Sequence, residues 1–232
     1  MPYLETLLLL GLLILIHEAG HLIAARMVGI PVAEFAVGFG PRLCWRRWGR
    51  TVYSLRALPL GGFVLPAVES DAEMRVFALR KRLVFFLAGP LANLAVAVPL
   101  FAVLNGRLSF DVMIVAPFRQ ILTMGWGFLS AVPGMVTHPE SLTGVIGIVA
   151  QGGQMAQTGM ALELAISLTI SLAVLNLLPI PGLDGGQIVL SCLEEAFPRL
   201  VRFRTAVTVT GLFVLAGLMV YANVQDAVRL WV

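Results

Sequence analysis

His17, Glu18, Ala19, Gly20 and His21 form an HExxH run. On a helix the two histidines stand one turn apart, about 6 Å along the axis, so their imidazoles can converge on one metal ion. Glu18 projects beside them, where it can take a proton from an attacking water. The run sits inside an apolar stretch that opens near Tyr3, and ionisable groups at such a depth are costly and serve function. The pattern therefore points to metal-assisted hydrolysis rather than to histidines that hydrogen-bond within a bundle. A zinc hydrolase takes three protein ligands and keeps a fourth position open for water, so one further donor is expected from elsewhere in the chain.

Three acidic residues lie near the remaining apolar stretches: Glu163, Asp184 and Asp226. If a helix begins at Tyr3, His17 is about 21 Å along it, with roughly 9 Å of hydrocarbon still ahead. Asp184 follows the third apolar stretch on that same side, whereas Glu163 and Asp226 belong to the opposite face. Around Asp184 the sequence Asn176, Leu177, Leu178, Pro179, Ile180, Pro181, Gly182, Leu183, Asp184, Gly185, Gly186 breaks a helix that would otherwise continue. Backbone freed in this way is tolerated only against protein or water. A capped helix end explains the glycines but not a carboxylate at that depth. His138, beside Pro139, reads as ordinary surface.

The elements that must position these groups are membrane helices. Of the 232 residues, 59% are hydrophobic and 12% charged, which excludes an ordinary soluble domain. Apolar runs long enough to span a ~30 Å core are expected near 3–27, 80–104, 160–183 and 206–224. Ten of the sixteen basic residues fall between Arg26 and Arg82, and Arg199, Arg202 and Arg204 fall between the third and fourth runs. The positive-inside rule then puts both termini outside, and the two basic loops and the active site on the cytoplasmic side of the cell (inner) membrane. This bias accounts for the net charge of +3 without nucleic acid. Cys44 and Cys192 both fall in those loops, where neither a disulfide nor a CxxC metal site is expected.

Between the first two spans, residues 31–66 have hairpin composition, with Gly38, Phe39, Gly40 and Pro41 opening it. Strands are expected from Thr51 to Leu58 and from Phe63 to Leu65, separated by Pro59, Leu60, Gly61 and Gly62. Its edge near Phe63 offers an extended substrate a strand to pair with. The segment 105–159 is broken by Pro117, Pro133, Gly134 and Pro139, and its residues 118–132 favour a helix lying in the outer interface over a fifth crossing. The expected fold is an all-α polytopic membrane protein, one domain over 1–232, with about four transmembrane helices, a membrane-associated β-hairpin and an interfacial helix.

At these residues the sequence resembles the site-2 protease family of intramembrane zinc metalloproteases, in particular the bacterial branch that processes anti-sigma factors. HEAGH matches the family's HExxH. Asn176, Pro179, Pro181 and Asp184, with Gly185 and Gly186, match its NxxPxPxLDGG motif. Gly38, Phe39, Gly40 and Pro59, Leu60, Gly61, Gly62 resemble its hairpin, and Gly89, Pro90 and Asn93 match a further pattern on the second span. The resemblance implies one zinc ion on His17, His21 and Asp184, with Glu18 as general base and acid. It also implies substrate contacts at Asn176, Pro179, Pro181, Gly61, Gly62, Phe63 and Asn93. Substrates would be transmembrane segments of single-span proteins in the lipid bilayer, an anti-sigma factor among them. Relatives in this branch carry PDZ domains between the second and third spans, and 105–159 is too short for one, so gating falls to a separate partner or is absent. A zinc-binding transporter and a catalytically silent membrane adaptor are the rival readings.

Overall fold

A computed structural model describes residues 2–68, 71–106, 109–137 and 142–231; His138, Pro139 and Ser141 lie outside the described residues. In chain order the elements are α1 (Pro2–Val28), β1 (Val32–Trp48), β2 (Thr51–Pro66), a 3-10 turn (Asp71–Val76), α2 (Leu79–Asn105), a π-helical turn (Asp111–Val115), α3 (Ala116–Thr137), α4 (Val145–Gln157), α5 (Ala161–Leu177), α6 (Asp184–Ala196), a second 3-10 turn (Pro198–Phe203) and α7 (Arg204–Trp231). The chain divides into two compact units, one of Gly11–Asn93 and Asn176–Thr210, the other of Met1–Leu10, Leu94–Leu175 and Gly211–Val232.

Among the described residues, three helical stretches are long and apolar enough to cross a membrane: Tyr3–Val28, Leu79–Asn105 and Pro198–Arg229. They coincide with the first, second and fourth expected spans. The third expected span, 160–183, differs. Its helix, α5, has 17 residues and stops at Leu177, about 25 Å of rise against a ~30 Å core. Pro179 and Pro181 remove the amide protons that would continue it, and Gly182 adopts φ +98°. The helix expected over 118–132 is matched by α3, and a further helix, α4, follows after 138–141.

The first unit packs the C-terminal half of α1 against the hairpin, the start of α2 and α6. Its core is Leu22, Ala25, Ile30, Val32, Phe35, Met74, Phe85 and Phe86, with Ile188 of α6 against it. Gly20 sets the approach of α1 to α2, since a β-carbon there would run into the carbonyl of Ala88 and lie 2.8 Å from the Ala92 methyl. The helix α1 ends where Gly29 turns left-handed, and the Ile30 amide closes back on the Ala25 carbonyl at 2.8 Å.

The hairpin spans the expected region, but its strands are longer than composition indicated, with β2 running unbroken through residues 59–62. Trp48 pairs with Thr51 across a two-residue Gly49-Arg50 turn, and the turn's φ of +62° falls on Gly49. Residues 34–37 of β1 are paired on both sides. Val32, Glu34, Phe35, Ala36 and Val37 face Pro66, Leu65, Val64, Phe63 and Gly62 on one side, and Glu34 to Val37 face Val52 to Leu55 on the other.

The same unit buries a charged network. Glu194 Oε2 of α6 accepts from Arg204 Nη1 of α7 at 2.7 Å and from Arg82 Nη1 of α2 at 3.3 Å, and Arg204 Nη2 also reaches Gln187 Oε1 at 2.6 Å. Arg82, Glu194 and Arg204 are each 1% exposed. Two guanidiniums at such depth need the carboxylate between them, and α6 is thereby tied to α2 and α7.

In the second unit, Ala97, Phe101 and Ala102 of α2 pack with Val112 and with Ile166, Ile170 and Val174 of α5. Asp226 of α7 has a structural task here. Its Oδ2 accepts the amides of Gly144 and Gly147 at 2.7 and 2.8 Å, which satisfies the start of α4.

Glu194→Gln, which leaves buried Arg204 without a carboxylate and Arg82 with only the half-exposed Glu195, is expected to cost about 3–5 kcal/mol of stability. Glu195→Gln, at a partner that is half exposed, is expected to cost no more than about 1 kcal/mol. Denaturant unfolding of the purified protein in detergent distinguishes the two.

Candidate metal centre and its surroundings

Every residue of the candidate site belongs to the first unit. His17, Glu18 and His21 come from α1, Asp184 opens α6, and α2 passes beside them at Gly89 and Asn93. His17 Nε2 lies 3.0 Å and His21 Nε2 3.2 Å from Asp184 Oδ2, and the two ring nitrogens are 3.2 Å apart. The site is nearly closed to solvent, with both histidines 5% exposed.

The far side of each ring shows which way its lone pair points. His21 Nδ1 is 2.7 Å from the Phe85 carbonyl, an acceptor only, so Nδ1 carries the proton and the lone pair of a neutral ring sits on Nε2. His17 Nδ1 is 3.3 Å from Asn93 Nδ2, and turning that side-chain amide over sets its oxygen there as the acceptor. The near side then holds two nitrogen lone pairs and a carboxylate oxygen, three acceptors aimed at one point. Such a cluster is repulsive unless a cation occupies it. Donors about 2.0–2.1 Å from a tetrahedral ion are about 3.3 Å from one another, close to the separations found, and two imidazoles with a carboxylate are a zinc-type donor set. The residues present fit the ion.

Local sequence explains how Asp184 is delivered. The 178–183 turn is held by the Ile180 amide on the Leu178 carbonyl at 2.7 Å and the Leu183 amide on the Ile180 carbonyl at 3.1 Å. Gly185 and Gly186 let the first turn of α6 lie directly on that backbone. A β-carbon at either would collide with the carbonyls of Leu177 and Leu178 or of Ile180. Asp184 is the first residue of α6, where the helix dipole favours a carboxylate. Gly89 leaves room on the other side, because a β-carbon there would strike Nε2 of both histidines.

Glu18 faces the hairpin. The Val64 backbone hydrogen-bonds to its carboxylate, and a β-carbon on Gly62 would lie 3.1 Å from its Cγ. Phe63 stands between them in sequence, its ring stacked near Phe39 at 6.4 Å. The sheet is braced by Glu34, which accepts from Arg42 Nε and Nη2 at 3.2 and 2.5 Å, from Ser54 Oγ at 2.6 Å and from Arg56 Nη2 at 2.8 Å. Burial by itself would raise the Glu34 pKa, but these donors and the Arg56 charge hold it down to about 2.

The structure thus brings His17, Glu18, His21, Asp184, Asn93, Gly62 and Phe63 into one neighbourhood. Asn93 is fully buried against His17. Asn176 stands in the last turn of α5, with Pro179 and Pro181 in the turn leading to Asp184, and Gly61 has φ +139° beside Phe39. Sequence reasoning did not find the Phe85 carbonyl or Glu34. The first is a backbone contact that carries no side-chain signal. The second could have been noticed as the lone acid in an arginine-rich hairpin.

Residues 5–218 match the sequence profile of the family described as Peptidase family M50. A Chlamydia trachomatis protein provisionally named a zinc metalloprotease is 40% identical over 114 residues, covering 42% of this chain and 18% of that protein. A similarly named Clostridium perfringens protein is 25% identical over 325 aligned positions, covering 96% of this chain and 97% of its own length. That alignment has more positions than this chain's 232 residues, so the relative carries segments absent here. The chloroplastic membrane metalloprotease ARASP of Arabidopsis thaliana is 31% identical over 171 residues, covering 67% of this chain and 36% of that protein. The chain thus spans less than two thirds of the Chlamydia and Arabidopsis relatives.

The depressed Glu34 pKa makes a pH prediction. The stability it contributes is complete above its ordinary value of 4.5 and is lost as pH falls toward about 2. Protection factors of the β1 and β2 amides, taken against the intrinsic exchange rate at each pH, are expected to fall over that window in the wild type, and Glu34→Gln is expected to show low protection already at neutral pH.

Proposed function

Because the chain belongs to peptidase family M50, we propose that it is an intramembrane zinc metalloendopeptidase that cuts transmembrane segments of single-span membrane proteins. The observation that carries this reading is the convergence of His17 Nε2, His21 Nε2 and Asp184 Oδ2 at 3.0–3.2 Å in a nearly closed site beside Glu18. These three residues would hold one zinc ion. When bound, zinc supplies Lewis acidity, lowering the pKa of water and polarising a peptide carbonyl.

The remaining steps fall to the chain's own residues. The Glu18 carboxylate takes a proton from the attacking water and returns it to the leaving amine nitrogen. A helical substrate hides its carbonyls in i to i−4 bonds and must unwind locally to be cut. Residues 62–66 support such a step, since their sheet partners among the described residues all lie on 32–37 and the Val64 backbone turns to Glu18 instead. An extended substrate laid along that edge replaces its lost helical bonds by strand addition and passes directly over Glu18. Gly61 and Gly62 keep the edge free of side chains beside Phe63, and Asn176, with Pro179 and Pro181 shaping its turn, is a donor for the substrate backbone. Asn93 supports the site from the far side of His17.

In this reading the chain is one membrane-embedded domain that crosses four times. The short α5 completes the set, and the Leu178–Leu183 turn lies at the cytoplasmic end. The distribution of arginines puts both termini outside the cell membrane and the zinc toward the cytoplasm. Substrates include anti-sigma factors, and gating comes from a separate protein.

The test is cleavage of a model single-span substrate by the purified protein in liposomes. Glu18→Gln is expected to keep its zinc and to lose roughly 100-fold or more of the cleavage rate. Equal product from the two proteins would reject the mechanism.

A further inference from the structure

The hairpin turn is a cationic exposed surface that the proposed chemistry does not use. No acidic residue occurs between Glu34 and Glu69, while Arg42, Arg46, Arg47, Arg50 and Arg56 all fall there. Glu34 neutralises Arg42 and Arg56 through its ion pairs. That leaves Arg46, Arg47 and Arg50, all exposed and without an ion-pair partner among the described residues. Interleaved with them are Leu43, Trp45 and Trp48, at 66, 64 and 80% exposure. Large apolar side chains this open to solvent, alternating with unneutralised cations, are costly in water and suited to a bilayer interface.

The turn is also at the right depth. Arg26, in the last turn of the first apolar span, donates to the Tyr53 hydroxyl, and the Tyr53 ring lies 6.4 Å from that of Trp48. Arg26, Trp48, Gly49, Arg50 and Thr51 line one cleft of about 420 Å³, so two guanidiniums and an indole face a space large enough for a phosphate headgroup. A second cleft, of about 390 Å³, opens at the same end of α1, with Arg80 and Lys81 as its cations and Met27, Val28 and Val84 as its apolar wall. Guanidiniums pair with phosphate oxygens through fixed, forked donors, and the aliphatic walls match the start of the acyl chains.

We propose that the Trp45–Arg50 turn, with the cleft it shares with Arg26, is a docking surface for the phosphodiester headgroups of anionic phospholipids at the boundary where the first span leaves the bilayer. The occupant is lipid rather than free phosphate because the cations alternate with exposed tryptophans, which a soluble anion does not cover. The inference rests on the chain spanning a membrane and is independent of the catalytic reading. The turn acts as an electrostatic anchor that fixes the height of the hairpin relative to the bilayer.

The experiment uses the full chain carrying Trp126→Phe and Trp231→Phe, so that Trp45 and Trp48 are the fluorophores. It is reconstituted into phosphatidylcholine vesicles containing increasing fractions of brominated phosphatidylglycerol or of brominated phosphatidylcholine. Quenching by both lipids is expected, with a larger association constant for phosphatidylglycerol. That preference is expected to fall about fivefold for each arginine removed in Arg46→Gln, Arg47→Gln and Arg50→Gln, and to persist when the same three become lysine. It is also expected to weaken in the wild type as salt is raised, which tests the charge term without any substitution. Equal quenching by the two headgroups overturns the anionic preference, and quenching by neither overturns the membrane contact. Loss of the preference on adding excess inorganic phosphate at constant ionic strength would show that the ligand is free phosphate, and overturns the lipid assignment.

Discussion

Two imidazole nitrogens and a carboxylate oxygen face one another across 3.0–3.2 Å in a part of the protein with little access to water. Three acceptors in that arrangement repel, and burial strengthens the repulsion because little solvent is present to screen it. A divalent cation reverses the sign of every term at once. The surrounding features follow from keeping this convergence in place. Phe85 and Asn93 engage the outer ring nitrogens, which turns Nε2 inward. Gly89 withholds a side chain where one would collide with both rings, and Gly185 and Gly186 let α6 start close enough for its first residue to reach them.

The other buried acids show what a carboxylate does in this protein when no metal is involved. Glu34 has two arginines and a serine, Glu194 has two arginines, and Asp226 has two backbone amides. Each meets donors. Asp184, less buried than these three, meets two ring nitrogens instead, and the His21 ring has its proton committed to the Phe85 carbonyl. The Glu194 network bears on the same point from a distance. It grips the last turns of α6 while Asp184 occupies the first, so the helix that presents the carboxylate is fixed at both ends.

Much of this was legible in the sequence because helical periodicity and lipid depth are strict constraints. The HExxH spacing fixes His17 and His21 on one face of a helix, and the proline and glycine run before Asp184 marks the break that ends α5. The extent of the hairpin was readable from its turn residues. Its internal pairing was not, because residues 34–37 take partners on both sides and one of those pairings joins segments that no local pattern links. The third span was read too long, since apolar composition continues to Leu183 although prolines end the helix at Leu177. The role of Asp226 was hidden for a similar reason. Its partners are backbone amides 79 and 82 residues away, and backbone donors leave no mark in composition.

X-ray absorption at the zinc edge, on purified protein loaded with one equivalent of zinc, reads the donor set that the convergence of His17, His21 and Asp184 implies. The expected first shell is free of sulfur, with two imidazole nitrogens at about 2.0–2.1 Å and carboxylate or water oxygen at about 2.0–2.2 Å, altered on Asp184→Ala. A sulfur contribution near 2.3 Å from Cys44 or Cys192, or a spectrum unchanged by Asp184→Ala, would contradict it.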